Sequence, residues 1–147
     1  MFKYLFILIS VLFLLNITEV SAQCDNAFIA KCSSDGGSSV KYIKHFRIRF
    51  TQATSKKKIS KGKFTLMLNK GNHYRFYICD DPSKPGETIM ELSNDMTKFG
   101  SNYNAASGTK YKAFDFVCNK TGPYYIKMYF KDGKAGCGVC VLTLVTN

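Results

Sequence analysis

Between Val40 and Phe50 the chain alternates. Val40, Tyr42, Phe46, Ile48 and Phe50 are apolar, Lys41, His45, Arg47 and Arg49 are polar, and Ile43 and Lys44 fall out of step. A repeat of two marks a strand with one buried face, because successive side chains leave a strand on opposite sides. Similar alternation, or a short apolar run bounded by turn residues, predicts strands at Phe64–Leu68, Tyr74–Cys79, Thr88–Ser93, Lys98–Tyr103, Tyr111–Cys118, Tyr124–Phe130 and Cys137–Val145. Lys70-Gly71-Asn72 predicts a hairpin, Asp80 to Glu87 carries two prolines and a glycine, and Thr51 to Gly62 reads as a polar loop. By parity Phe114 and Phe116, then Tyr124, Ile126, Met128 and Phe130, then Leu142 and Leu144, form matching apolar stripes. The fold expected is all-β: an antiparallel, jelly-roll-like β-sandwich of about eight strands. Helical periodicity is missing, with room for only a turn or two of helix between Cys24 and Cys32.

The first 22 residues follow another pattern. Lys3 precedes an apolar run, Tyr4 to Leu15, and Val20-Ser21-Ala22 supplies small residues. This is the layout of a cleaved secretory signal, with cleavage expected after Ala22. The run is shorter than the roughly 20 residues needed to cross a bilayer. Gln23 in front of Cys24 argues against a lipid anchor, since a lipoprotein signal places a small residue there. The expected organisation is a signal over residues 1–22, a cysteine-containing segment over 23–39 and a sandwich over 40–147. No transmembrane segment is expected in the mature chain, which belongs in the periplasm or outside the cell.

Export changes the reading of the cysteines. All six, Cys24, Cys32, Cys79, Cys118, Cys137 and Cys140, follow the signal, and an even number in an oxidising compartment predicts disulfides. Cys24 and Cys32 are near enough in sequence to close a small loop, leaving three pairings for the other four. Parity favours Cys118 with Cys140, and hence Cys79 with Cys137. Cys137-Gly138-Val139-Cys140 has the spacing of a redox pair, but such pairs depend on a helix N-terminus. Here the motif runs into the strand Val141–Val145. Cysteines three apart in an extended strand lie roughly 10 Å apart, beyond the ~7 Å a bridge tolerates.

The formal charge is +11, and it is unevenly spread. No acid lies between Asp35 and Asp80, where eleven Lys or Arg residues fall. A one-signed run this long suits an anionic partner, though it also serves simply to keep an exported domain soluble. Candidate ligand-facing residues are Lys41, Arg47, Arg49 and the loop Lys56, Lys57 and Lys58. To these are added Arg75 and Tyr77 on one strand and Tyr125, Lys127 and Tyr129 on another, where flat rings meet cationic groups. Ordinary cross-strand packing of tyrosines beside lysine stems gives the same pattern.

Catalytic chemistry finds no motif. His45 and His73, the only histidines, fall on outer strand faces with no nucleophile or carboxylate at a suggestive spacing. Asp80, Asp81 and Glu87 are oxygen donors on one loop, but their spacing is not that of a calcium loop. Zinc thiolates are disfavoured by export. The sequence assigns no catalytic residue, no metal and no cofactor. Asn119-Lys120-Thr121 is an N-glycosylation sequon where the host glycosylates exported chains.

The stretch Gly71-Asn72-His73-Tyr74-Arg75-Phe76-Tyr77-Ile78-Cys79 and the strand Phe114-Asp115-Phe116-Val117-Cys118 resemble a group of small secreted β-sandwich proteins of gram-negative bacteria. So do Lys120-Thr121-Gly122-Pro123-Tyr124-Tyr125-Ile126, Lys131-Asp132-Gly133-Lys134 and the last strand. More distantly, the pattern is similar to bacterial pre-peptidase C-terminal domains and to the GOLD domain. The resemblance covers residues 40 to 145 and implies a jelly-roll-like sandwich. Neither the hydrolase that accompanies the former nor the coiled coil and membrane span of the latter is found here, so the resemblance implies no role for any residue.

The function expected is that of a non-catalytic, secreted or periplasmic binding module for an anionic or glycan-bearing envelope component. The partner expected is an anionic glycan, lipopolysaccharide or an envelope protein, and not nucleic acid. The alternatives are a structural or assembly subunit pairing through sheet edges, and an enzyme of the Cys-x-x-Cys oxidoreductase or hydrolase kind.

Overall fold

A computed structural model describes residues 24–146, and the signal expected over residues 1–22 lies outside the described residues. The chain runs through α1 (Asn26–Ser34), β1 (Val40–Phe50), β2 (Lys61–Leu68), β3 (His73–Asp80), β4 (Thr88–Ser93), β5 (Lys98–Ser101), β6 (Tyr103–Asn104), β7 (Thr109–Lys110), β8 (Ala113–Val117), β9 (Gly122–Phe130) and β10 (Gly136–Val145). Two four-stranded antiparallel sheets, ordered β1-β10-β3-β8 and β2-β9-β4-β5, face each other, and β6 and β7 form a separate ribbon. The expected sandwich is what forms.

The core takes in Tyr124, Ile126, Met128, Phe130 and Leu142 of the predicted stripes, with Phe114, Phe116 and Leu144 partly buried against it, and extends beyond them. Phe46, Ile48, Phe76, Cys140 and Leu142 from the first sheet meet Leu66, Leu68, Met90, Ile126, Met128 and Phe130 from the second. Each large side chain withdrawn this completely contributes roughly 1.5–3 kcal/mol of apolar transfer. At Gly138 a Cβ would strike the Thr88 side chain. The glycine inside the Cys-x-x-Cys motif therefore serves packing.

The residues out of step in β1 mark a bulge. Register with β10 shifts between Tyr42 and Lys44, so Tyr42 faces outward beside Thr143 while Lys44 takes the inward parity of Leu142. An extra residue on one strand inverts the alternation on either side of it.

Two predicted strands are altered. Tyr111–Cys118 shortens to β8, with β7 a separate two-residue strand before it, and Lys98–Tyr103 divides into β5 and β6 at Asn102. Its fully buried amide accepts from Met90 N at 2.7 Å and donates to the carbonyls of Thr88 and Tyr111, both at 3.2 Å. Asn102 N and O also bond Met90 O and Tyr111 N. One asparagine thus replaces a stretch of ladder, which strand propensity does not reveal.

The N-terminal segment is a helix lying across the outer face of the first sheet. Asp25 caps it by accepting from Phe28 N at 2.7 Å, and Ile29 and Cys32 pack on Val139 and Val141. Bridges Cys24–Cys137 and Cys32–Cys79, with Cα separations of 5.6 and 5.9 Å, fasten it. The segment is disulfide-closed, but not by the expected Cys24–Cys32 loop, because eight residues of mostly helix hold those ends roughly 12 Å apart.

Cys118 and Cys140 are both free and buried, so the expected bridge between them, and that between Cys79 and Cys137, do not form. Cys118 N bonds Asn72 O at the start of β3, whereas Cys140 lies opposite Ile78 near its other end. Six residues of strand separate those levels by roughly 20 Å. Parity selected the right face and said nothing about height along it.

Candidate functional site

The sandwich has an open rim where edge strands β1 and β2 run past one another. The Phe46 and Phe64 rings lie 5.2 Å apart between centroids, and Gly62 leaves space that the Ile48 side chain fills. Along this rim lies a groove of about 650 Å³ lined by Lys44, His45, Phe46 and Arg47 from β1, Lys63, Phe64 and Thr65 from β2, and Asn26 and Ile29 from α1. Every charged residue in that lining is basic. The acid-free run in the sequence is the cause, since β1 and β2 both fall inside it.

The candidate residues do not form one surface. Arg47 reaches the groove, and its guanidinium also donates to Cys24 O at 2.9 Å. Lys41, opposite Leu144 and beyond the bulge, takes the other parity from Arg47. Arg49 lines a separate depression with Phe50, Gln52 and Lys84. Lys56, Lys57 and Lys58 form an exposed 3-10 turn between β1 and β2. Arg75 and Tyr77 lie on the outer face of the first sheet: Arg75 is committed to Asp115 through bonds of 2.7 and 2.8 Å, and Tyr77 packs beside α1.

Tyr125, Lys127 and Tyr129 occupy the outer face of the second sheet, on the far side of the molecule from Arg75 and Tyr77. There the register places Lys61 beside Tyr129, Lys63 beside Lys127 and Thr65 beside Tyr125. Lys61 and Lys63 belong to this face, although the sequence pattern alone leaves Lys61 in the loop and starts the strand at Phe64. The signal was present, because Lys61, Lys63, Thr65 and Met67 alternate with the core-facing row. Lys63 also lines the groove, so the rim and this face are continuous.

Lysines cap the aromatic faces around the rim. Lys63 Nζ lies 4.4 Å from the Tyr125 ring centroid, Lys61 Nζ 5.1 Å from Tyr129 and Lys44 Nζ 5.2 Å from Phe46. Farther across the sheet, Glu91 receives Lys98 at 2.7 Å, Tyr129 OH at 3.2 Å and Lys127 at 3.9 Å. Burial opposes its ionisation, but Lys98, Tyr129 and Lys127 prevail and hold the carboxyl below the usual range. Burial, then Glu91, pushes the Tyr129 hydroxyl up to about 12. The Tyr125 hydroxyl is raised by its hydrogen bond to Asp95.

No family model matches the chain, and no curated protein matches its sequence. Among solved structures, the chain is similar to a periplasmic inhibitor of g-type lysozyme from Aeromonas hydrophila. Identity is 12%, 73% of this chain and 88% of that one are covered, and the TM-score is 0.48. At this level no residue's role passes from that protein to this one.

The loop acids of the calcium reading are committed separately. Asp80 pairs with Lys110 and accepts from Thr88 N at 2.8 Å, Asp81 accepts from Ser83 N and Oγ, and Glu87 lies 3.6 Å from Lys131. Among the described residues no group of three His, Cys, Asp or Glu side chains is placed to hold a metal ion. Cys137 is bridged to Cys24, and Cys140 is a free thiol inside β10. His45 Nδ1 is engaged by Tyr42 OH at 2.8 Å, and His73 stands 3.8 Å from an Asp115 already held by Arg75. The groove wall presents Lys44, Arg47 and Lys63 and no carboxylate.

Proposed function

We propose that the chain is an exported, non-catalytic binding module that takes an anionic component of the cell envelope or extracellular space on its β1–β2 rim. The observation that carries this reading is the groove lined by Lys44, Arg47 and Lys63 with no carboxylate in its wall. Several cations outside the groove are matched, Arg75 by Asp115, Lys98 by Glu91 and Lys110 by Asp80, whereas no ion pair among the described residues involves Lys44, Arg47 or Lys63. A concave surface of one charge raises the local concentration of its counter-ion ligand and speeds association. Two disulfides, which persist in oxidising compartments, support export.

The test is retention on an immobilised sulfated polysaccharide and on lipopolysaccharide, with ionic strength varied. Retention at low salt that falls steeply as salt screens the charges is expected, and Lys44→Ala with Lys63→Ala is expected to abolish most of it. No retention at low ionic strength, or retention indifferent to the double substitution, overturns the reading. The assembly alternative has its own support in the unpaired outer edges of β1 and β2. A protein partner from the native envelope that stays bound at high salt favours it.

A further inference from the structure

The anionic ligand of the rim is open to a finer reading, which rests on the anion-binding function just proposed. Where a glycan is held by more than its charges, its apolar ring faces lie on uncovered aromatic side chains. Here Tyr125, Tyr129 and Phe46 each carry an ammonium over one face. What the rim does leave uncovered is main chain. β2 is the outermost strand of its sheet, and its eight residues pair with β9 from Lys61↔Tyr129 to Leu68↔Gly122 without a register shift. β1, the other edge, is bulged at Ile43 and overlaid by the Arg47–Cys24 contact. Flat, regular edges accept another strand, and bulged ones resist it.

Lysines on an edge usually guard it, because an incoming neutral strand must strip their hydration. Lys61 and Lys63 are such guards against every strand but one carrying acids at the matching positions. On the opposite parity, half-buried Phe64 presents an apolar wall to the groove. A strand laid against β2 therefore meets positive charge on the outer face and an aromatic ring on the inner one. We propose that β2 is a docking edge for an extended, acidic segment of a partner protein in which acidic and apolar residues alternate. The partner's carboxylates would lie opposite Lys61 and Lys63 and its apolar side chains against Phe64, with main-chain hydrogen bonds completing the ladder.

The probe is a capped synthetic peptide of alternating valine and glutamate, compared with the same peptide N-methylated at alternate residues and with a heparin oligosaccharide. Affinities are measured by titration calorimetry, and the site is mapped by NMR shifts of the β2 amides. The unmodified peptide is expected to bind at least about ten-fold tighter than its N-methylated form and to perturb residues 61–68. Lys61→Glu with Lys63→Glu, both exposed positions, is expected to lose this peptide and gain an alternating valine–lysine one. Equal binding of the methylated and unmethylated peptides, or shifts confined to other strands, overturns the proposal. Heparin binding without peptide binding overturns the strand-docking proposal while leaving the anion-binding function intact. Loss of both ligands overturns both.

Discussion

The Lys63 ammonium sits 4.4 Å from the centroid of the Tyr125 ring, so the ring that invites a stacking interpretation is occupied before any ligand arrives. An exposed contact of this kind contributes on the order of 0.5–1 kcal/mol, little enough for an anion to draw the lysine away. If the rim binds an anion as proposed, Lys63 and not Tyr125 is the side chain on which that binding depends. Lys63→Ala is expected to weaken retention on a sulfated polymer several-fold, whereas Tyr125→Ala is expected not to weaken it, since losing the ring frees the Lys63 ammonium for the anion. Equal losses in the two variants would mean that the ring contacts the ligand directly.

Cys118 and Cys140 provide a direct check on the covalent framework. Both are free and buried, and burial raises the Cys140 thiol further. An alkylating reagent is expected to label neither in the native protein, both after denaturation without reductant, and all six cysteines after reduction. Absence of labelling in the denatured, unreduced protein would require a third bridge and a rearranged core.

The contrast between these two cysteines and the core around them shows what a strand sequence encodes. Alternation assigned Tyr124, Ile126, Met128, Phe130 and Leu142 to one interior, and they occupy it. A period of two carries face and nothing else. The level at which two strands meet comes from pairing partners remote in sequence, so Cys118 and Cys140 share a face and miss each other. The candidate site suffered from the same limit: Arg75 and Tyr125 are both outward, on sheets that face away from each other. Lys44 was legible only as a break in the pattern, and that break is the bulge that carries it to the rim.

Arg75 and Asp115 make a two-pronged contact, Nε to Oδ1 at 2.7 Å and the second guanidinium nitrogen to Oδ2 at 2.8 Å. The Arg75 hydrogen bond, against some burial, holds the Asp115 carboxyl below its usual range, with His73 adding to the effect. A carboxyl depressed in the folded state lends stability that is complete above its unfolded value near 4 and is lost as pH falls through the folded one. Both side chains are more than a third exposed, so the contribution is at most about 1 kcal/mol. Asp115→Asn is expected to lower stability to urea by that amount at neutral pH, with the difference shrinking as acid protonates the wild-type carboxyl. A difference that persists in acid would place the effect in packing rather than charge.

Asn102 sets the break between β5 and β6 from inside the fold. Its side chain is fully buried and answers one amide, Met90 N, and two carbonyls, those of Thr88 and Tyr111. Asn102→Ala strands the buried Met90 N–H and Thr88 carbonyl and leaves the part-buried Tyr111 carbonyl to water; each unsatisfied buried group costs roughly 1–3 kcal/mol, so a loss of at least about 2 kcal/mol is expected in chemical denaturation. Asn102→Asp separates hydrogen bonding from shape. It keeps the acceptor for Met90 N, but it sets an oxygen against the other two carbonyls and buries a charge. The aspartate variant is expected to be at least as unstable as the alanine variant at neutral pH and to recover in part on acidification, once the protonated carboxyl donates to one carbonyl. Amide exchange at Met90 and Tyr111 is expected to quicken in the alanine variant, while Met90 stays protected in the aspartate one. Identical behaviour of the two variants across pH would show that Asn102 fills space and that the break between β5 and β6 is set by something else.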